Sequence, residues 1–189
     1  VREERQCPPP PHPIALFQAL TKPKSMEWVV QKATELGVHI LQPILTDRVV
    51  SRPEAHAAAG KLDKWKRIAV EALKQCGQPW LPTLLPPRPL KDFLEAAPGS
   101  FIASLQPNAR PLRHWLQNDF QNTDQPSGKP LGLWIGPEGD FTPEEYQALL
   151  AAGARPITLG SAVLRSETAA ICGLALLQYE LSLHDHAGS

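Results

Sequence analysis

The sequence predicts an α/β protein, a mostly parallel sheet with helices on both faces. Three observations lead there. Short apolar runs alternate along the chain with stretches whose apolar residues recur at helical spacing. Two units, each a strand that breaks at glycine and reopens as a helix, stand 24 residues apart, from Gly136 to Gly160. The run 131–135 is apolar throughout, without the alternation of a half-exposed strand, as expected of a strand covered on both faces.

Residues 1–13 are charged and then proline-rich, and read as an extended linker. Residues 14–20 read as the first strand. Ser25 stands as the cap of a helix that runs to Leu36, with Gly37 just past its end. Met26, Val29, Val30 and Ala33 share one face of that helix and predict its burial. Residues 38–45 read as a second strand. The stretch 61–76 carries an apolar stripe of Leu62, Trp65, Ala69 and Leu73, and Gly77 and Pro79 stop it. A short helix over 90–97, a strand over 100–105 and a helix over 111–116 follow. Residues 118–129 are polar and rich in turn formers, and read as a mobile loop. The strand 131–135 then breaks into Gly136-Pro137-Glu138-Gly139-Asp140. Thr142 caps the next helix, with Pro143 at its first position and Glu144 and Glu145 in its first turn. A last short strand, 157–159, meets Gly160, and Ser166-Glu167-Thr168 opens an apolar helix over 169–183.

At 189 residues the chain predicts one domain with a sizeable core. No run approaches the ~20 apolar residues of a membrane span, and no signal-peptide pattern is present. Cys7, Cys76 and Cys172 lack metal-ligand spacing and read as reduced thiols of a cytoplasmic protein, with Cys172 in the core. His184-Asp185-His186 reads as a disordered tail rather than a ligand set, so no metal is expected. A net charge of zero argues against nonspecific nucleic-acid binding. The charge is unevenly spread: residues 1–80 hold twelve Lys and Arg against eight Asp and Glu, and the remainder holds seven against eleven. An RNA surface is therefore expected in the first half.

The two glycine units together resemble the SPOUT class of S-adenosylmethionine-dependent RNA methyltransferases, and more closely the ribosomal RNA small-subunit methyltransferase E family. Ile135-Gly136-Pro137-Glu138-Gly139 is similar to the family's central loop. Leu159-Gly160, Val163-Leu164-Arg165 and Glu167-Thr168-Ala169 resemble its last loop and helix. Lys32-Ala33-Thr34-Glu35-Leu36-Gly37 and Gln75-Cys76-Gly77 match two earlier motifs. The chain departs from the family at Asp140, where glycine is usual, and at Gln78, where arginine is common.

The resemblance implies an α/β trefoil knot, with the cofactor in the knot. It implies a SPOUT methyltransferase domain over 14–189, with 1–13 a linker remnant of an N-terminal PUA-like β-barrel domain that is either missing or outside the residues given. It further implies methylation of N3 of a uridine in 16S ribosomal RNA of the 30S subunit, and a homodimer built on the knot helices. Another RNA target on the same fold, or a noncatalytic RNA-binding assembly factor, are the alternatives.

By resemblance, S-adenosylmethionine would be held by Ile135, Gly136, Pro137, Glu138 and Gly139, by Leu159, Gly160, Val163, Leu164 and Thr168, and by Leu105 as a third wall. Uridine N3 carries a proton at neutral pH, so its reaction needs a cation to stabilise the imide anion and a group to accept the proton. Arg165 is the candidate cation. Glu167 is the candidate base, or a carboxylate that orients Arg165. Lys22, Lys24, Lys32, Arg48, Arg52 and Lys74 are candidate phosphate contacts, with Arg113 and His114 behind them. Trp28, Trp65 and Trp80 read as packing residues.

Overall fold

The computed structural model describes residues 12–49, 55–119 and 129–187. Cys7 and the prolines before His12, Arg52, most of the 118–129 segment and the side chains of His184-Asp185-His186 lie outside the described residues.

The described chain runs β1 (Ile14–Ala19), α1 (Pro23–Glu35), β2 (Ile40–Leu45), α2 (Ala55–Cys76), β3 (Thr83–Leu84), β4 (Arg88–Pro89), a short 3₁₀ helix (Leu90–Ala96), β5 (Phe101–Ala103), β6 (Arg110–Pro111), α3 (Leu112–Asp119), β7 (Leu131–Ile135), α4 (Pro143–Ala151), β8 (Arg155–Thr158) and α5 (Ser166–Ala187). The strands form one sheet in the order β3-β2-β1-β7-β5-β8-β6, with β4 also pairing β2. Every pairing is parallel, so all strands end on the same edge.

Strand β7 is buried at every residue, because both sheet faces are covered. Leu131, Leu133 and Ile135 enter one core with Met26, Val29 and Val30 of α1 and Leu174, Leu177 and Leu181 of α5. Trp134 enters the opposite core with Phe17, Ile102, Phe141 and Leu149. Its ring stacks on Phe17 at 4.0 Å between centroids. Its indole Nε1 donates to Ser100 Oγ at 2.7 Å, which satisfies the one polar atom of a fully buried side chain. Helix α5 comes close to this strand at Gly173, where a Cβ would stand 2.9 Å from Leu133 Cδ2.

The structure corrects several boundaries. Ser25 is not a cap: Pro23 sits in the first turn and Lys22 is the N-cap residue, without a side-chain cap bond. Proline's fixed φ suits a helix start, and this outweighs the cap preference of serine. The second strand starts at Ile40 rather than Val38. Gly37 takes φ +71 and the Val38 N–H closes back on Ala33 O, so these two residues end α1 instead. Helix α2 begins at Ala55, earlier than the stripe beginning at Leu62 indicates, where alanines extend the helix. The fifth strand is shorter than 100–105, and the two-residue ladders β3, β4 and β6 were not read, being too short for any periodicity. Cys172 is half-buried rather than core. Trp65 packs as read, whereas Trp28 is 41% exposed and Trp80 is half-buried.

The tightest packing on β7 is at Gly132, where a Cβ would meet Ser100 Cβ at 2.8 Å. That atom sits on the backbone and cannot swing away. Gly132→Ala is expected to lower stability by about 1–3 kcal/mol, read as the shift of a urea unfolding midpoint.

Candidate cofactor cleft

The ends of β5, β7 and β8 converge with the first turn of α5 around a cleft of about 610 Å³, its open mouth included. Its floor is the turn after β7. The Asp140 N–H donates to Pro137 O at 2.9 Å, which folds the segment back on itself. A side chain at Gly136 would crowd the turn, since a Cβ would lie 3.0 Å from Asp140 Oδ1 and 3.3 Å from Phe141 N. Asp140 holds φ +62, left-handed backbone that aspartate tolerates better than most residues. Its Oδ1 accepts from the Phe141 N–H at 2.8 Å.

Helix α4 begins with a capping box. Thr142 Oγ1 accepts from Glu145 N at 3.2 Å, and Glu145 Oε2 accepts from Thr142 N at 2.9 Å. The other oxygen of Glu145 accepts from the Asp47 N–H at 2.8 Å. Beside it, Arg48 Nη1 donates to Gly139 O at 2.6 Å. The turn after β2 thus braces the glycine loop from outside.

A buried relay braces it from inside. Gln18, fully buried at the end of β1, donates through Nε2 to Ser166 Oγ at 2.8 Å. Ser166 in turn donates to Gly136 O at 2.5 Å. Neither residue stood out in the sequence. Ser166 reads as an ordinary helix-opening serine, and Gln18 as a polar intruder in an apolar strand, which was the available signal. Gln18 Oε1, Thr21 Oγ1 and Thr46 Oγ1, all near the ends of β1 and β2, are buried without a hydrogen-bond partner among the described residues.

Of the residues expected at the cofactor, Leu105, Ile135, Gly136, Pro137, Glu138, Leu159, Gly160, Val163 and Leu164 line the cleft. Gly139 and Thr168 do not: Gly139 faces the Arg48 side chain, and Thr168 is exposed on α5. Ala162, within the 159–164 stretch expected at the cofactor, also lines it, as do Ala103, Ser104, Asp140, Ser166 and Ala169, which the sequence does not mark as cofactor contacts. Leu105 is 55% exposed and Val163 81% exposed, so two apolar side chains stand open at this site.

Arg165 and Glu167 stand beside the cleft rather than in its lining. Arg165 is exposed, and among the described residues it forms no ion pair with Glu167 or Glu138. Glu167 Oε1 accepts from Ser25 Oγ at 3.2 Å, which joins the first turns of α1 and α5. Lys22 and Lys24, exposed at the start of α1, are thereby on the same side of the molecule as Arg165. The other basic candidates are engaged. Lys32 pairs with Glu35 and Lys74 with Glu71, each at 2.8 Å. Arg113 pairs with Glu180 at 3.0 Å, which raises the guanidinium pKa above its ordinary value, chiefly through that hydrogen bond. His114 lies edge-on to Trp115. No group of three metal-ligating side chains occurs among the described residues.

A wholly parallel sheet with strand–glycine loop–helix units closing a cleft at its strand ends is the arrangement this chain shares with SPOUT methyltransferases of known structure. A ribosomal RNA small subunit methyltransferase E of Neisseria gonorrhoeae, solved bound to S-adenosyl methionine, superposes with a TM-score of 0.74 at 30% identity, over 89% of this chain and 66% of that one. Residues 8–178 match the family described as RNA methyltransferase domain. Ribosomal RNA small subunit methyltransferase E of Synechocystis is 33% identical over 87% of this chain, and that of Aquifex aeolicus 32% identical over 93%. The chain belongs to the RNA methyltransferase domain family, in its ribosomal RNA small subunit methyltransferase E branch. It spans 52% of the Synechocystis relative and 72% of the Aquifex one.

Removing the middle of the relay leaves the Gln18 amide only its bond to Ala19 O and takes the donor from the half-buried carbonyl of Gly136. Ser166→Ala is expected to cost about 0.5–1.5 kcal/mol in denaturant unfolding, more than the loss of an exposed serine would.

Proposed function

We propose that this chain is the catalytic domain of an S-adenosylmethionine-dependent methyltransferase acting on N3 of a uridine in 16S ribosomal RNA. The observation that carries the reading is the cleft itself. It opens where three parallel strands end, its floor is bare at Gly136, and its walls are mostly loop backbone and aliphatic side chains. Such walls grip an adenosine by backbone hydrogen bonds and apolar contact, without committing a charged side chain to the base. Relatives carrying the methyltransferase name, one of them solved with the cofactor, support it.

S-adenosylmethionine supplies an electrophilic methyl group on a sulfonium. The chain has to hold the acceptor in line with that methyl group and manage one proton. Arg165, exposed and unpaired beside the cleft, would hold the uracil oxygens and stabilise the imide anion. The N3 proton would pass to Glu167 or to water it orders. The N3 lone pair forms the new N–C bond, and the electrons of the broken S–C bond remain on sulfur. Lys22 and Lys24 would hold RNA phosphates on the same side. The trefoil knot, a cytoplasmic site of action on the 30S subunit, and a homodimer through α5 belong to the same proposal. Leu176, Tyr179 and Leu183 support the dimer, being exposed apolar residues along one side of that helix.

The test is single-turnover methylation of 30S subunits, with nucleosides of the digested RNA identified by mass spectrometry. 3-Methyluridine is expected, and a 2′-O-methyl or guanine product would assign another target. Arg165→Ala and Glu167→Ala are each expected to slow the step by about 10²-fold or more. Unchanged rates would remove their roles. Gly136→Val, which places methyl groups against Asp140 and Phe141, is expected to abolish cofactor binding in calorimetry.

A further inference from the structure

The charged side chains lining the cleft among the described residues are both acidic: Glu138 and Asp140. Glu138 is exposed, whereas Asp140 is half-buried and fixed, its backbone at φ +62 and its Oδ1 on the Phe141 N–H. The nearest basic group in the bracing turn, Arg48, donates to the carbonyls of Gly139 and Phe141. Asp140 also lines a second cavity with Arg48, Asn108 and Tyr146, so the residue stands between two spaces.

We infer that Asp140 is a charge-selectivity residue of the cofactor site, favouring the sulfonium cofactor over the thioether product. This rests on the proposed methyltransferase reading. S-adenosylmethionine and S-adenosylhomocysteine share adenosine and amino-acid groups, and differ by a methyl group and a positive charge on sulfur. Apolar walls and backbone hydrogen bonds hold the two almost equally well. A fixed carboxylate in a partly desolvated wall attracts the cation and leaves the neutral sulfur unaffected. When the methyl group is transferred, the bonding pair stays on sulfur and the attraction is lost at that moment. Asp140 thus tightens the reactant complex and loosens the product complex.

Calorimetric titration of wild-type chain, Asp140→Asn and Asp140→Gly with each ligand tests this. Asparagine and glycine both accept left-handed backbone, and asparagine keeps an oxygen for the Phe141 N–H, so the loop is retained. Both variants are expected to bind S-adenosylmethionine about three- to tenfold more weakly and S-adenosylhomocysteine within about twofold of wild type. The wild-type preference is expected to shrink as salt rises from about 0.05 to about 0.5 M. Equal weakening of both ligands, or an unchanged ratio in either variant, overturns the role of Asp140 and leaves the cofactor reading standing. A folded wild-type chain that binds neither ligand overturns both.

Discussion

Complete burial of β7 is the constraint on which the rest of the structure depends. With α1 and α5 on one face, and α4 and the 3₁₀ helix on the other, every side chain of the strand enters a core. The strand leaves the sheet at its C-terminal end, where its backbone polar groups have no ladder partner. Gly136 begins that exit, and the cleft forms where β5 and β8 end beside it. Gly132 and Gly173 serve the same constraint, admitting Ser100 and Leu133 closer than any Cβ would permit.

A loop of glycines and a proline cannot hold its own shape against a ligand, so neighbours must. Two independent braces do this. Inside, Gln18 and Ser166 link β1, α5 and the carbonyl of Gly136, and the Gln18–Ser166 bond is buried, where a low local dielectric strengthens it. Outside, Glu145 and Arg48 tie the loop to the turn after β2. Rigid backbone is what a site built mainly from backbone requires, because its contacts are preorganised only if the loop is.

Electrostatics divides the molecule in the same way. The lining of the cleft is acidic and aliphatic, while the unpaired cations Lys22, Lys24 and Arg165 stand outside it at the starts of α1 and α5. A cationic small molecule and a polyanionic partner therefore meet different surfaces. The hydrogen bond between Ser25 and Glu167 keeps those surfaces adjacent.

The sequence by itself determined the class of fold, both glycine loops, the helix starting at Thr142 and most of the cleft lining. These are local matters: an apolar run, a glycine where backbone must approach, a cap at a fixed offset. Tertiary structure decided what depends on contacts between distant residues. Gln18 and Ser166 are 148 positions apart, and nothing near either shows that they touch. Separations of 91 and 142 positions likewise hid that Arg48 donates to the Gly139 carbonyl and that Ser25 reaches Glu167 instead of capping its own helix. The ladders β3, β4 and β6 exist because longer strands lie beside them. Asp140 was visible as a departure from the family, but its φ, its bond to Phe141 and its place between two cavities came only from the folded chain.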